Sequence, residues 1–443
     1  MRKVAIIGFS LLTISSVNGQ QTDLNKRIHE LISKEADRHF SIYKDLHRNP
    51  ELSLMEFETS KKMAAELRAM GFDVTEGIGG NGVVGILKNG EGKAIMLRTD
   101  MDALPIKENS GLDFASTVVL KDAQGNETPV MHACGHDFHM TTWLGTLRTL
   151  SALKDEWKGT IMAVAQPAEE GSMGALSMIN DGLFKRFPVP DAALCYHVNA
   201  ELPTGTIGYY PGPIFAGVKS AEVTVFGSGG HGAMPHKTID PVVLSAKIIL
   251  DIQTIVSRRI NPVKPAVITV GAIHGGQRNN VIPDEVKMLL TIRYFDDAVL
   301  QTIMESLKAM TRGHAIAAGL PENKMPLVTF SQAVNPPVCN HPDLVMKSVA
   351  AMKDILGEDQ VIQVDQAMTA EDFGKYGVTD EKIPIALFWL GGVNQDNYKN
   401  YIENGYFLPP LHHASFVPDF EPAYQCGTAA MTKTILKLFK QDN

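Results

Sequence analysis

Asp100 and Asp102 follow the apolar run Ala94 to Arg98, and their spacing of two puts both carboxylates on one face of an extended chain. Met131-His132-Ala133-Cys134-Gly135-His136-Asp137 leads into a helical pattern that carries Met140, Leu144 and Leu147 on one side. Gln166-Pro167-Ala168-Glu169-Glu170-Gly171 follows the apolar run Thr160 to Ala165, and His197 follows Ala192 to Tyr196. Leu411-His412-His413 comes after the run Ile385 to Leu390 and a long loop. Taken singly, a Cys-x-His is a common loop pair and a Glu-Glu is ordinary solvated surface. Gathered together, thiolate, imidazole and carboxylate form an N/S/O set suited to Zn²⁺, with Mn²⁺, Co²⁺ or Ni²⁺ as alternatives. A structural zinc site is closed by four Cys/His ligands at short paired spacing, so a scattered set with carboxylates reads as catalytic. Two adjacent glutamates offer a division of labour: one holds a metal while its neighbour takes a proton from water and returns it to a leaving nitrogen.

The elements that must position these residues are short, continuously apolar runs flanked by helical patterns. The runs are Val83 to Leu87, Ala94 to Arg98, Thr160 to Ala165, Ala192 to Tyr196 and Ile385 to Leu390. Such runs fit strands buried on both faces of an α/β sheet, and helices are expected over Asp23 to Arg48 and Glu56 to Met70. In open α/β sheets ligands bind beyond the carboxyl ends of the strands, where the metal-type side chains fall here. Between Gly217 and Val334 the pattern becomes strand (Ala221 to Phe226), helix (Pro241 to Arg258), strand (Ala266 to Ile273), strand (Val286 to Tyr294), helix (Asp297 to Ala318) and strand (Leu327 to Phe330). That β-α-β-β-α-β order belongs to ferredoxin-like domains and reads as a smaller α+β domain inserted into a larger α/β one. The expected organisation is residues 1–19 as a leader, 20–214 and 335–443 as the two parts of a catalytic domain, and 215–334 as the insert.

At 443 residues, 44% hydrophobic and 20% charged, the chain has the composition of a multidomain globular protein. A formal net charge of −8 leaves no basic field for nucleic acid. Met1-Arg2-Lys3, the apolar run Val4 to Leu12 and the stretch Thr13 to Gly19 have a secretory leader's layout, with cleavage near Gln20 and export to a periplasmic or external compartment. The run is too short for a membrane span. Cys134, Cys195, Cys339 and Cys426 are too few for a disulfide framework in a chain of this length.

Arg98-Thr99-Asp100-Met101-Asp102, Met131 to Asp137, Gln166 to Glu170, Gly229-Gly230-His231-Gly232-Ala233-Met234-Pro235-His236, Asn280-Val281-Ile282-Pro283-Asp284 and Thr369-Ala370-Glu371-Asp372-Phe373 together resemble the hippurate hydrolase and N-acyl-amino-acid amidohydrolase family, the auxin-conjugate hydrolases included. The resemblance covers essentially the whole mature chain. It implies a mixed, mostly parallel catalytic sheet, a lid domain that pairs with its twin in a homodimer, and two divalent metal ions, zinc foremost. It implies Cys134, His136, Glu170, His197 and His412 as metal ligands, Glu169 as general base and acid, and Asp102 behind the ligands. His231 would face the scissile carbonyl of the partner's site, and Asn280 and Arg293 would hold a substrate carboxylate. Asp100 stands where the wider clan has a metal-binding His and is not assigned; His132, His139 and His236 read as packing or hydrogen-bonding residues. His413 follows His412 where many relatives differ, and Ser116 to Pro129 and Asn394 to Pro410 are long loops beside ligand-bearing segments. The reaction expected is hydrolysis of N-acyl amino acids. A dipeptidase or carboxypeptidase on the same scaffold is the nearest alternative, and an exported binding protein, which has no need of a proton-carrying Glu169 beside Glu170, the distant one.

Overall fold

A computed structural model describes residues 11–122, 124–331 and 335–440, with side chains from residue 23 onward. Of the expected leader, residues 1–19, the first ten lie outside the described residues and 11–19 fall in the helix Leu11–Arg48. The chain divides into two compact units: Met1–Gly212 with Asn340–Val364 and Tyr376–Asn443, and Pro213–Cys339 with Asp365–Lys375.

The first unit is built on an eight-stranded mixed sheet in the order Asp73–Ile78, Gly82–Asn89, Gly159–Gln166, Ala94–Asp100, Ala192–Pro203, Ile385–Val393, Ile207–Tyr209, Val361–Gln363. The four central strands run parallel, from Gly159–Gln166 through to Ile385–Val393. All eight residues of Gly159–Gln166 and all nine of Ile385–Val393 are buried, as continuous apolar runs require when both faces are covered. Ile161, Ala163 and Ala165 join the core under the helices Leu11–Arg48, His136–Ala152 and Phe420–Phe439, and the alternating Met162 and Val164 face the opposite side.

Two expectations are corrected. The strand expected to stop at Tyr196 continues to Pro203, so His197 lies in mid-strand rather than after its end. The adjacent strand keeps pairing through Trp389↔His197 and Gly391↔Asn199, and backbone pairing carries the strand past its polar residues. The segment Asn394 to Pro410 is not all loop: Gln395–Asn404 is helical, capped by the Asn394 side chain on the Asp396 N–H and closed by Gly405 at φ +64. That helix buries none of its residues, and its apolar stripe is limited to Tyr398, Tyr401 and Ile402. The other long segment folds locally into a hairpin, Val119–Lys121 against Glu127–Pro129.

The second unit has a four-stranded antiparallel sheet in the order Ala266–His274, Glu285–Tyr294, Gly217–Phe226, Leu327–Phe330. In chain order this is 2-3-1-4, the split βαβ arrangement. Its helices Pro241–Thr254 and Asp297–Ala317 are capped by Asp240 and Asp296, which accept from Val242 N and Ala298 N at 2.8 Å each. Leu244, Ile248, Ile252 and Ile255, and likewise Val299, Ile303, Leu307 and Met310, line one face of each helix at helical spacing. They pack on Ala221, Val223, Val225, Val286, Met288, Leu290 and Ile292 of the sheet.

Candidate metal centre and general base

The segments ending at one edge of the large sheet bring Cys134, His136, Glu169, Glu170, His197 and His412 together. Cys134 precedes the helix His136–Ala152, and Gly135 between them has φ +79. A Cβ on Gly135 would come within 2.7 Å of Val198 Cγ1, so only glycine turns the chain into the helix this close to the neighbouring strand. His412, with φ +65, donates its N–H to the Ala133 carbonyl at 2.8 Å and so lies beside Cys134.

Around the cluster, Cys134 Sγ lies 3.5 Å from His197 Nε2 and 3.3 Å from His412 Nε2. Glu170 Oε1 lies 3.5 Å from His412 Nε2 and 3.9 Å from His136 Nε2. Zinc bonds of about 2.0–2.3 Å in tetrahedral geometry leave ligand atoms roughly 3.3–3.8 Å apart, a range that holds the two Cys134 separations and the Glu170–His412 one, with Glu170–His136 just beyond it. Three overlapping sets each hold their ligand atoms within 4.8 Å: Cys134, His136 and His197; Cys134, Glu170 and His412; His136, Glu169 and Glu170. Nε2 of His136 and Oε1 of Glu170 are buried without a hydrogen-bond partner, a costly arrangement for a dry interior unless a cation completes it. The donor set therefore fits divalent cations, which Cys134, His136, Glu170, His197 and His412 would hold.

The electrostatics agree. Burial alone would lower His136, yet Asp100, Asp102 and Glu170 around it outweigh burial and push it up to about 10. Burial pushes Glu170 up to about 7 against the pull of His136. Burial, then Glu170 and Glu169, push the Cys134 thiol well above its usual range, while burial and the neighbouring His139 hold His197 well below its own. Carboxylates and a thiol crowd one buried spot, a concentration of negative charge that suits bound cations.

Behind the ligands, Asp102 is a hub. Its Oδ1 accepts the Glu169 N–H at 3.1 Å and lies 3.4 Å from His136 Nδ1; its Oδ2 accepts the Glu170 N–H at 3.0 Å and the Ser53 hydroxyl at 2.5 Å. Burial acts to raise Asp102, but His136, Ser53 and the Glu170 N–H hold it below the usual carboxylate range. His197 Nδ1 donates to the Val198 carbonyl at 2.9 Å, which leaves Nε2 for a metal. Asp100 is paired with Arg98 at 2.7 Å and with His139 Nδ1 at 2.8 Å, and His139 Nε2 accepts the Val198 N–H at 2.8 Å. With their donors and acceptors so engaged, Asp100 and His139 are structural supports of the cluster.

The pattern of peptidase family M20/M25/M40 matches residues 96–411. The chain belongs to this family. It is 35% identical over 419 residues to thermostable carboxypeptidase 2 of Saccharolobus solfataricus, covering 94% of this chain and 99% of that protein. To N-acetyl-L-cysteine deacetylase of Bacillus subtilis it is 37% identical over 352 residues, 79% of each chain. Among solved structures, a dinuclear metal-binding M20 peptidase from Bacillus subtilis superimposes with a TM-score of 0.74 at 28% identity, covering 94% of this chain and 99% of that one. As an M20 member the chain is a metal-binding hydrolase that acts on linear amide bonds.

The structure places the remaining candidate residues as follows. His412, not His413, faces Cys134 and Glu170; His413 instead accepts the Ser415 N–H at 3.2 Å and packs edge-on to Phe407. In the second unit, His231 and Asn280 are neighbours, linked by the Gly232 N–H to the Asn280 carbonyl at 2.8 Å and by the pairing His231↔Val281. Arg293 is not with them. It lies near the far end of the strand Glu285–Tyr294, paired with Val218 and Val267. Half-buried and with no carboxylate partner among the described residues, its guanidinium is held below its usual range by burial. His236 is exposed in a short 3-10 turn, and His132 is buried with both nitrogens unpartnered and lowered to about 4 by burial.

Two groups escaped the sequence reading. One is the loop Glu51 to Glu56, whose Ser53 reaches Asp102 and whose Glu56 accepts the Ala168 N–H at 2.8 Å. The other is a triad in which His47 Nδ1 meets Asp137, the residue after His136, at 2.6 Å and Nε2 meets Glu108 at 2.9 Å. Their partners lie tens of residues away along the chain, and the only local signal is a polar stretch with Pro50 between two helical patterns.

Proposed function

We propose that the protein hydrolyses the amide bond of N-acyl amino acids, releasing a carboxylic acid and a free amino acid. The observation that carries this reading is Glu169, a buried carboxylate next to the ligand cluster whose backbone is held by Asp102. When bound, the two divalent cations, zinc foremost, supply Lewis-acid polarisation of an amide carbonyl and acidify water. Glu169 takes the proton of the attacking water and returns it to the leaving nitrogen, and Asp102 keeps Glu169 and Glu170 in register for that exchange. The deacetylase relative supports an acyl group on the scissile nitrogen, and the unpaired guanidinium of Arg293 suits the free carboxylate of the product amino acid. The carboxypeptidase relative favours a second reading, in which the acyl group is itself an aminoacyl or peptidyl group.

The distribution of the second unit's residues supports a homodimer. Arg293 lies eight residues along the strand from Glu285, roughly 25 Å from the end that carries His231 and Asn280. One copy of the unit cannot bring all three to one substrate. A two-fold pair, in which His231 serves the partner's centre, would account for this separation and make the unit a dimerisation domain. Residues 1–19 fit an export leader.

The test is release of free amino acid, detected with ninhydrin, from a panel of N-acyl amino acids and dipeptides with Zn²⁺, Mn²⁺ or Co²⁺ added. Glu169→Gln keeps the shape of the side chain but accepts no proton. Its turnover is expected to fall about 100-fold or more with the metal content unchanged. Near-normal turnover of that variant removes Glu169 from the role of base.

A further inference from the structure

Ala168 is buried, follows Pro167 and has φ +50, a left-handed conformation that an L-residue with a Cβ holds only under constraint. The turn it opens is the one that presents Glu169 and Glu170. Three successive N–H groups of this turn point at carboxylate oxygens: Ala168 N at Glu56 Oε1, 2.8 Å; Glu169 N at Asp102 Oδ1, 3.1 Å; Glu170 N at Asp102 Oδ2, 3.0 Å. Glu56 Oε1 also accepts the N–H of Leu54, itself at φ +68, at 3.0 Å, and Oε2 accepts from Asn81 Nδ2 at 3.0 Å. Glu56 is fully buried and has no cationic partner among the described residues. A buried carboxyl held only by neutral N–H donors is a costly group to keep for packing alone.

We infer that Glu56 is a positioning residue for the general base: its carboxylate locks Ala168 in the left-handed conformation and thereby fixes the direction in which Glu169 leaves the turn. Glu56 bonds Leu54, Asn81 and Ala168, and of these the Ala168 N–H is the one that belongs to the turn carrying Glu169. The inference rests on Glu169 being the base of the proposed amide hydrolysis. The mechanical part, the holding of the turn, stands independently of that reading.

The experiment compares Glu56→Ala, Glu56→Gln and Glu56→Ala with Ala168→Gly, each in the full chain loaded with Zn²⁺. Hydrogen exchange of the peptide spanning residues 166–174 is expected to speed up at least tenfold in Glu56→Ala and to stay near wild type in Glu56→Gln, whose amide oxygen can still accept both N–H groups. Turnover of Glu56→Ala is expected to fall about tenfold or more with KM within about twofold and two metals still bound. Ala168→Gly removes the Cβ that disfavours positive φ, so adding it is expected to recover part of kcat without recovering the thermal stability lost with Glu56. A purely structural role predicts the opposite pattern, in which activity tracks stability. If Glu56→Ala does not fold, Glu56→Asp carries the same comparison, since it withdraws the acid from Ala168 by one methylene. Unchanged exchange in 166–174, turnover within twofold of wild type, or equal damage by Gln and Ala each overturns the inference. A wild-type protein inert on the whole amide panel defeats the proposed function instead, and the exchange arm still decides whether Glu56 holds the turn.

Discussion

His47, in the helix Leu11–Arg48, lies between two acids of the same unit, 2.6 Å from Asp137 and 2.9 Å from Glu108. The three side chains are exposed by 1%, 1% and 0%, so neither carboxylate has water to fall back on. Glu108 also accepts the Ser116 N–H at 2.5 Å, and Asp137 the Phe138 N–H at 2.8 Å. Removing the imidazole leaves two buried charges that these remaining contacts cannot neutralise. Breaking a buried pair in this way costs about 3–5 kcal/mol. Against a total of about 5–15 kcal/mol that is a large share, and His47→Ala should lower the urea midpoint by about 1–2 M. The assay is tryptophan fluorescence, because Trp143, Trp157 and Trp389 all lie in the first unit and the signal reports that unit's unfolding. Metal is removed with chelator beforehand, so that cation binding does not mask the loss. Adding Glu108→Gln to His47→Ala deletes one of the stranded charges and should recover about 1–3 kcal/mol relative to the sum of the single changes. A midpoint unchanged in His47→Ala, or strictly additive losses, refutes the charged triad.

The same triad sets a pH dependence. Burial acts to lower His47, but the hydrogen bonds and charges of Asp137 and Glu108 outweigh it and push the imidazole up to about 10. Its folded value lies above the unfolded value of about 6.5, so its contribution is complete below pH 6.5 and is lost as pH rises through about 10. Glu108 and Asp137 are held below their usual ranges despite burial, chiefly by His47 for Glu108 and by His132 and His47 for Asp137. Their contribution is present above their unfolded values and is lost as pH falls through the lowered ones. Chelated wild type should therefore lose stability steadily from pH 6.5 to 10, and His47→Ala should show a flatter alkaline limb.

The metal centre and the assembly give three further expectations. Cys134→Ala deletes the sulfur that lies 3.3 and 3.5 Å from two imidazole nitrogens, so metal per chain, read by elemental analysis, should fall; full occupancy would remove Cys134 from the ligand set. His412→Ala should lose metal and turnover while His413→Ala stays within about twofold of wild type, and the reverse result would exchange the two assignments. If His231 serves the partner's centre, co-expressed Glu169→Ala and His231→Ala chains should recover up to roughly a quarter of wild-type activity. Half of randomly mixed dimers are hetero-pairs with one intact site, and recovery no greater than the sum of the single variants in such a preparation argues against sharing.

What could be read from the sequence, and what could not, divides along a physical line. The second unit's helices and strands were legible because Leu244, Ile248 and Ile252, or Val286, Met288 and Leu290, repeat at the period of the element they form. The candidate metal-binding cluster was legible because Cys134, His136 and Glu170 are residue types with few other uses together. His197 was placed one step wrong, since a strand's end is fixed by pairing with its neighbour, here through Trp389 and Gly391, and not by its own composition. Glu56, Ser53, His47 and Glu108 carried no signal beyond a polar stretch around Pro50. Each is an ordinary polar residue in its own stretch of chain and acquires its role only when folding sets it 49 to 112 residues away against Asp102, Ala168 or Asp137.

That division bears on how the centre is held together. A metal ligand needs a particular atom type, and this shows in the sequence as Cys, His or Glu. A support needs only an acceptor or donor at the right place, and many residue types can supply one. At this site the supports are nonetheless charged and fully buried: Glu56, Asp100 and Asp102 are each at most 1% exposed. A neutral acceptor would cost less to bury. Charged acceptors hold N–H groups and imidazoles through stronger, shorter bonds, and they add negative potential where divalent cations are to sit. The same carboxylates can therefore fix the geometry of the turn at Glu169 and raise the site's affinity for cations. On this reasoning Asp102→Asn, which keeps an acceptor and loses the charge, should weaken cation binding more than it loosens the turn, whereas Glu56→Ala should do the reverse. Metal titration and exchange in residues 166–174, measured on both variants, separate the two effects; parallel losses in both measurements would mean that charge and geometry are not separable here.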